Sequence, residues 1–195
     1  MSSMSLRILL PALVAIVPAP LLAQDLMAPQ PRASVQSIND SALSVAISEW
    51  NALRQSDGLP FSSYARFLIA HPGWPLEAAL RKSAERALRI DAEDPQLVAA
   101  YFGRYAPTAP STMLRHAEAL DAIGHRDEAR GAARRAWTMG AMNPGDDQRL
   151  TARWPGLLNF ADHDARMERL LSSRTSSSAA QMLALTSPTR QPVSR

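Results

Sequence analysis

The sequence predicts an all-α protein, an irregular α-solenoid in which antiparallel helix pairs stack into a superhelix. Three observations carry that expectation. From Asp40 onward, alanine-rich stretches alternate with proline or glycine punctuation. Within each stretch the apolar residues recur at helical spacing, and the alternation expected of strands is nearly absent. Helices this short cannot bury an apolar stripe alone, so they must stack in pairs.

Residues 1–23 read as a Sec-type signal peptide. Arg7 closes a short positive region, residues 8–17 form an apolar run interrupted by Pro11, and Leu21-Leu22-Ala23 places a small residue at the cleavage position. The rival reading, an uncleaved anchor, needs a longer run than this one, which Pro18 and Pro20 cut off. The expected location is therefore the periplasm, with no stable membrane span after cleavage. Residues 24–40, which include Pro29 and Pro31, are expected to be a flexible lead-in, residues 41–187 the superhelical domain, and residues 188–195 a C-terminal tail.

In the domain, Asp40 or Ser41 can cap a first helix with Leu43, Ala46, Ile47, Trp50 and Leu53 on one face. A second spans 62–70, turns Phe61, Tyr64, Ala65 and Leu68 inward, and is stopped by His71-Pro72-Gly73. Pro75 suits the first position of a third, which runs to about Arg89 with Leu76, Ala79, Leu80, Ala84, Ala87 and Leu88 inward. Its other side alternates in sign through Glu77, Arg81, Glu85 and Arg89, the pattern of a solvated face. Asp94-Pro95 opens a fourth helix carrying Leu97, Val98, Tyr101, Phe102 and Tyr105, which Pro107 and Pro110 end.

Ser111 can cap a fifth helix, with Leu114, Ala117, Leu120 and Ile123 inward and Gly124 as its left-handed terminator. The sixth starts at Asp127, buries Ala129, Ala132, Ala133, Ala136 and Trp137, and stops before Gly140. Two helices joined this tightly must be antiparallel neighbours. Gly124 in the turn, with Ala129 and Ala136 at the contact, has the spacing of a tetratricopeptide-like hairpin, although no regular 34-residue period continues through the chain. Further helices are expected at 144–153, 162–171 and 177–185.

Composition narrows the chemistry. A net charge of +3, from 21 Lys plus Arg against 18 Asp plus Glu, is too small over 195 residues to point to nucleic acid. With no cysteine there is no disulfide framework, zinc finger, iron–sulfur cluster or thiol nucleophile. No phosphate-binding loop, nucleophile elbow or His-Glu-x-x-His motif occurs, so no catalytic, cofactor-binding or metal residue is assigned. His163 between Asp162 and Asp164 fits capping and dipole stabilisation better than a metal triplet, and Asp146-Asp147 reads the same way. Glu49 is the only glutamate beside a tryptophan that could raise its pKa for acid catalysis, but adjacency along a helix is not contact. Arg126, Arg130 and Arg134 form a basic strip, either a contact for an anionic glycan or a protein partner, or an exposed face balanced by Asp127 and Glu128. Trp50 and Trp137 are expected in the core, and Trp74 and Trp154 at turns.

The strings Pro60-Phe61-Ser62-Ser63-Tyr64-Ala65-Arg66-Phe67-Leu68 and His71-Pro72-Gly73-Trp74-Pro75 resemble the N-terminal superhelical region of soluble lytic murein transglycosylases. Tyr101-Phe102 with Tyr105-Ala106-Pro107, the hairpin from Ala117-Glu118-Ala119-Leu120 to Ala136-Trp137, and Asp162-His163-Asp164-Ala165-Arg166-Met167-Glu168-Arg169-Leu170-Leu171 follow in the family's order. The resemblance implies a periplasmic protein of peptidoglycan metabolism. In that family a lysozyme-like domain cleaves the β-1,4 bond between N-acetylmuramic acid and N-acetylglucosamine, leaving a 1,6-anhydromuramyl end, with one glutamate as acid and then base and no cofactor. The family's Glu-Ser motif and its Gly-Leu-Met-Gln string are absent here. The chain is therefore expected to be a truncated or fragmentary member, silent by itself, that offers a curved wall to a glycan strand or to a downstream catalytic domain. A tetratricopeptide-like module that binds a protein partner is the alternative.

Overall fold

The computed structural model describes residues 31–89, 91–174 and 176–189, and among these it is all-helical with no strand. The helices are α1 (Pro31–Gln55), α2 (Phe61–Ala70), α3 (Glu77–Ala87), α4 (Pro95–Arg104), α5 (Pro110–Ala122), α6 (Arg126–Thr138), α7 (Asp146–Arg153), α8 (Phe160–Ser172) and α9 (Ser176–Met182), with a 3-10 turn at Leu183–Leu185. The chain divides into two units, residues 1–42 and 43–195. Of the first, the described residues 31–42 are helical backbone. Apart from the start of α1, everything described below lies in the second. The expected signal peptide, residues 24–30 of the lead-in and residues 190–195 of the tail lie outside the described residues. No described helix is long and apolar enough to cross a membrane.

The first helix begins at Pro31, inside the expected lead-in, instead of at Asp40. Proline fits a first helical position because the N–H it lacks would have no helical partner there. Of the face predicted for this helix, Ala46 and Leu53 are buried and Trp50 half-buried, whereas Leu43 and Ile47 are exposed. Helical spacing fixes which residues share a side but not how far along the helix its neighbours reach.

Aromatic rings fill the space between α2 and α4. Phe61, Tyr64, Phe67, Leu68 and Tyr101 are almost wholly buried. The Phe61 and Tyr101 rings meet edge to face at 5.3 Å, a geometry favoured by their quadrupoles. Tyr105 donates its hydroxyl to the Leu68 carbonyl at 2.9 Å, which ties the end of α4 to α2. Asp94 caps α4 as expected, accepting from the Gln96 N–H at 3.0 Å.

The start of α3 differs from expectation. Pro75 lies in a turn, Leu76 adopts a left-handed conformation with φ 64°, and the helix opens at Glu77. The Pro75 carbonyl accepts a hydrogen bond from Trp50 Nε1 at 2.9 Å, so it is held by α1 and does not open the helix. The Glu77 carboxylate accepts from the Gly73 N–H at 2.6 Å, closing the turn. Leu76, expected inward, is 55% exposed as a result. The alternating charged side of α3 is not wholly solvated either, because the Arg81 guanidinium lies over the Tyr105 ring, 4.9 Å from its centroid.

The α5–α6 hairpin follows the sequence closely. Gly124 takes φ 89°, and the His125 N–H reaches back to the Leu120 carbonyl at 2.9 Å, as in a glycine-terminated helix. Ala129, Ala132, Ala133 and Ala136 are fully buried, and side chains this small let helix axes approach closely. Ser111, however, is no cap: α5 begins at Pro110, and the Ser111 hydroxyl accepts from the Asn143 N–H at 2.8 Å. The shorter α7 starts after Gly145 at φ 84°. In α8 the Asn159 side chain accepts from the Asp162 N–H while the Asp162 carboxylate accepts from the Asn159 N–H, each at 3.0 Å. That reciprocal pair places the start of α8 at Phe160, two residues before the expected one.

Candidate binding groove

A groove of about 810 Å3 opens between the end of α1, the length of α3 and the start of α5. Leu53 and Leu80, both buried, supply apolar lining, and Lys82, Glu85, Arg86 and Asp57 supply charge. Arg86 Nη2 donates to the Asp57 carboxylate at 3.1 Å and to the Ser83 hydroxyl at 3.0 Å, so the end of α1 and α3 are linked across the opening. Both partners of that pair are largely exposed, and such pairs contribute about 0–1 kcal/mol to stability. Their effect lies mainly in shaping the mouth. Glu85 accepts from the Thr108 hydroxyl at 2.6 Å, which anchors the loop before α5. Lys82, the only lysine in the chain, is exposed and makes no ion pair among the described residues. A groove of this kind can hold an extended segment by its apolar lining while orienting charged or hydroxyl groups at the sides.

The basic strip divides in two. Arg126 and Arg130 lie one turn apart on α6, both exposed, and neither is ion-paired among the described residues. Arg134 is occupied: its Nη2 donates to the Leu157 carbonyl at 2.9 Å, and its Nε lies 3.2 Å from the Asp162 carboxylate. It therefore links α6 to the start of α8. Sequence spacing puts the three arginines on one side of a helix, but only contacts between helices decide which are free.

Asp146 and Asp147 do more than cap. Asp146 is buried and paired with Arg115, which also holds Glu118. Glu118 in turn pairs with Arg149, whose other partner is Asp91. This chain of charges joins α5 to α7, with Asp91 at its outer end. The Arg149 guanidinium holds the exposed Asp91 carboxyl below its ordinary range, and both carboxylates push Arg149 further up. Arg115 and Glu118 stand at helical i,i+3 spacing, but no periodic signal marks the pairs that join α5 to α7 and to Asp91, whose partners are 31 and 58 residues apart.

His163 makes no metal cluster, and among the described residues no three potential ligands converge. Burial lowers its pKa, with the charge of Arg166 acting in the same direction. His116 is lowered by burial and then by Arg135. Both shifts favour the neutral imidazole. Glu49 is exposed on α1, so no apolar pocket surrounds it to make it an acid. Trp137 and Trp154 are buried and Trp50 and Trp74 half-buried. Trp74 stacks on His71 at 5.0 Å within its turn.

Compared with protein-family models, with curated proteins and with solved structures, the chain shows no significant match to any of them.

Proposed function

We propose that the chain is a periplasmic α-solenoid of peptidoglycan metabolism, the N-terminal superhelical part of a lytic transglycosylase-like protein. It acts without catalysis, as a wall along which a glycan strand is positioned. The observation that carries this reading is the agreement between resemblance and structural role. The string Pro60 to Leu68 coincides with α2 and its buried aromatics, His71 to Pro75 with the turn held by Trp50, and Asp162 to Leu171 with the body of α8. The α5–α6 hairpin, with its left-handed glycine and buried alanines, supports stacking in tetratricopeptide-like pairs. Arg126 and Arg130 are the free cations of the proposed contact, with Arg134 engaged elsewhere.

Cosedimentation with purified sacculi tests the reading. The wild-type chain should sediment with them and release no anhydro-muropeptides, and R126E/R130E should sediment several-fold less. Release of anhydro products would overturn the silent role, and failure to sediment would overturn the glycan role.

A second reading, a module for a protein partner, is favoured by the groove itself. Among the described residues no aromatic side chain lines it to stack on a sugar, while Leu76 stands exposed at its edge. If K82E/R86E abolished capture of a periplasmic protein while sacculus binding was absent, this reading would replace the first.

A further inference from the structure

Three of the buried hydrogen-bond donors that lack acceptors among the described residues lie together in the C-terminal half of the core. Arg166, on α8, is only 2% exposed, and its guanidinium lies over the Trp137 ring, 3.9 Å from the centroid. Nη2 serves Asp147, at 2.8 and 2.9 Å from the two carboxylate oxygens. Among the described residues Nε and Nη1 find no acceptor, and neither does the indole Nε1 of Trp137. An unsatisfied buried donor costs about 1–3 kcal/mol, and more when charged, so each calls for an occupant carrying acceptor atoms.

A cavity of about 470 Å3 adjoins this group, bordered by Trp137, Asp147, Gln148, Thr151, Arg166 and Met182 among others. Among the described residues the one carboxylate on its wall is Asp147. Asp146, the next residue, is committed to Arg115 and does not border it. The Asp147 side chain is 49% exposed, so its carboxylate has room to turn into water when another anion takes its place on Arg166. Arg166 is too deeply buried to follow it. An incoming anion that replaced Asp147 would meet a guanidinium held flat against an indole, in a site where charge-assisted hydrogen bonds are strongest.

We infer that this cavity binds a small anion bearing carboxylate or phosphate oxygens, with Arg166 as its principal contact and Asp147 as the resident carboxylate it displaces. Arginine suits the task because its planar donors hold anionic oxygens directionally, which an ammonium cannot do. The site is separate from the groove beside α3 and does not depend on the peptidoglycan reading.

NMR of the full chain tests this, with inorganic phosphate and acetate titrated separately at constant ionic strength while the Arg166 Nε–H and Trp137 Nε1–H resonances are followed. Both resonances should shift saturably with at least one of the two ions, and the comparison assigns phosphate or carboxylate as the preferred group. D147N removes the competing charge and should tighten binding about tenfold, the equivalent of one charge-assisted hydrogen bond, while R126A/R130A should leave it unchanged. R166K should abolish the response; if it fails to fold, the D147N comparison decides alone. The absence of saturation in D147N, an affinity equal to wild type in D147N, or equal weakening by R126A/R130A would each overturn the site.

Discussion

The two ends of the core are held together by different physics. Between α2 and α4, large aromatic rings are buried and pack edge to face, with the Tyr105 hydroxyl tied to the Leu68 carbonyl. From α5 to α8 the seam is alanine, filled at one end by Trp137, and buried Arg115 and Arg166, paired with buried Asp146 and half-exposed Asp147, bind the helices to one another. The aromatic part is stabilised by area, which is non-directional and forgiving of small displacements. The alanine and ion-pair part depends on close approach and on partners being present. Its tolerance to substitution is correspondingly narrower, and the sign of each change depends on what is left behind.

Truncation in the aromatic part should have the largest effect. Phe61→Ala removes a fully buried ring, and urea denaturation should show a loss of about 3–5 kcal/mol, with the denaturant slope unchanged. Asp146→Asn should come next, at about 2–3 kcal/mol, below the usual cost of orphaning a buried charge because Glu118 stays on Arg115. If the ion pair is directional in the way described, Arg115→Met combined with Asp146→Leu should recover most of that loss. Ala132→Leu tests the seam from the other side, since added volume between close helices should cost about 1–3 kcal/mol by the same denaturation. A fully buried alanine that accepted leucine without loss would mean that the seam is looser than its burial implies.

The smallest effect is a pH dependence carried by His116 and His163. Both have folded-state pKa values below the ordinary 6.5, so the unfolded chain takes up protons first as the pH falls. Their contribution is fully present above the unfolded value and is lost progressively from about 6.5 downward, levelling off below the folded values. Thermal unfolding at pH 5.5 against 7.5 should show the decline, and H116Q/H163Q should flatten it.

Much of the helical layout was readable from capping and punctuation. Asp94-Pro95, Gly124 and Gly140 mark boundaries because they act on their own backbone, and that information is local. The early start of α1, the turn at Leu76 and the reassignment of Ser111 were not readable. At Leu76 the Trp50 indole holds the Pro75 carbonyl, and at Ser111 the Asn143 N–H from the loop before α7 takes the hydroxyl, contacts that local sequence does not show. The candidate site was less legible still. The arginine strip was correctly placed on one helix, but Arg134 was taken by Leu157 and Asp162, and the groove residues Asp57, Lys82 and Arg86 carried no spacing signal.

The sequence by itself determined that this protein is helical, where most helices end and which side of each is apolar, because these follow from backbone conformation and from a period of 3.6 residues. Only the tertiary structure decided which charges are spent inside and which remain outside. Asp146 and Arg166 read as surface residues in a string of letters, and they are buried because partners 31 and 19 residues away meet them. Whether a buried charge is tolerated depends on what stands within a few ångströms of it, and folding alone sets that distance.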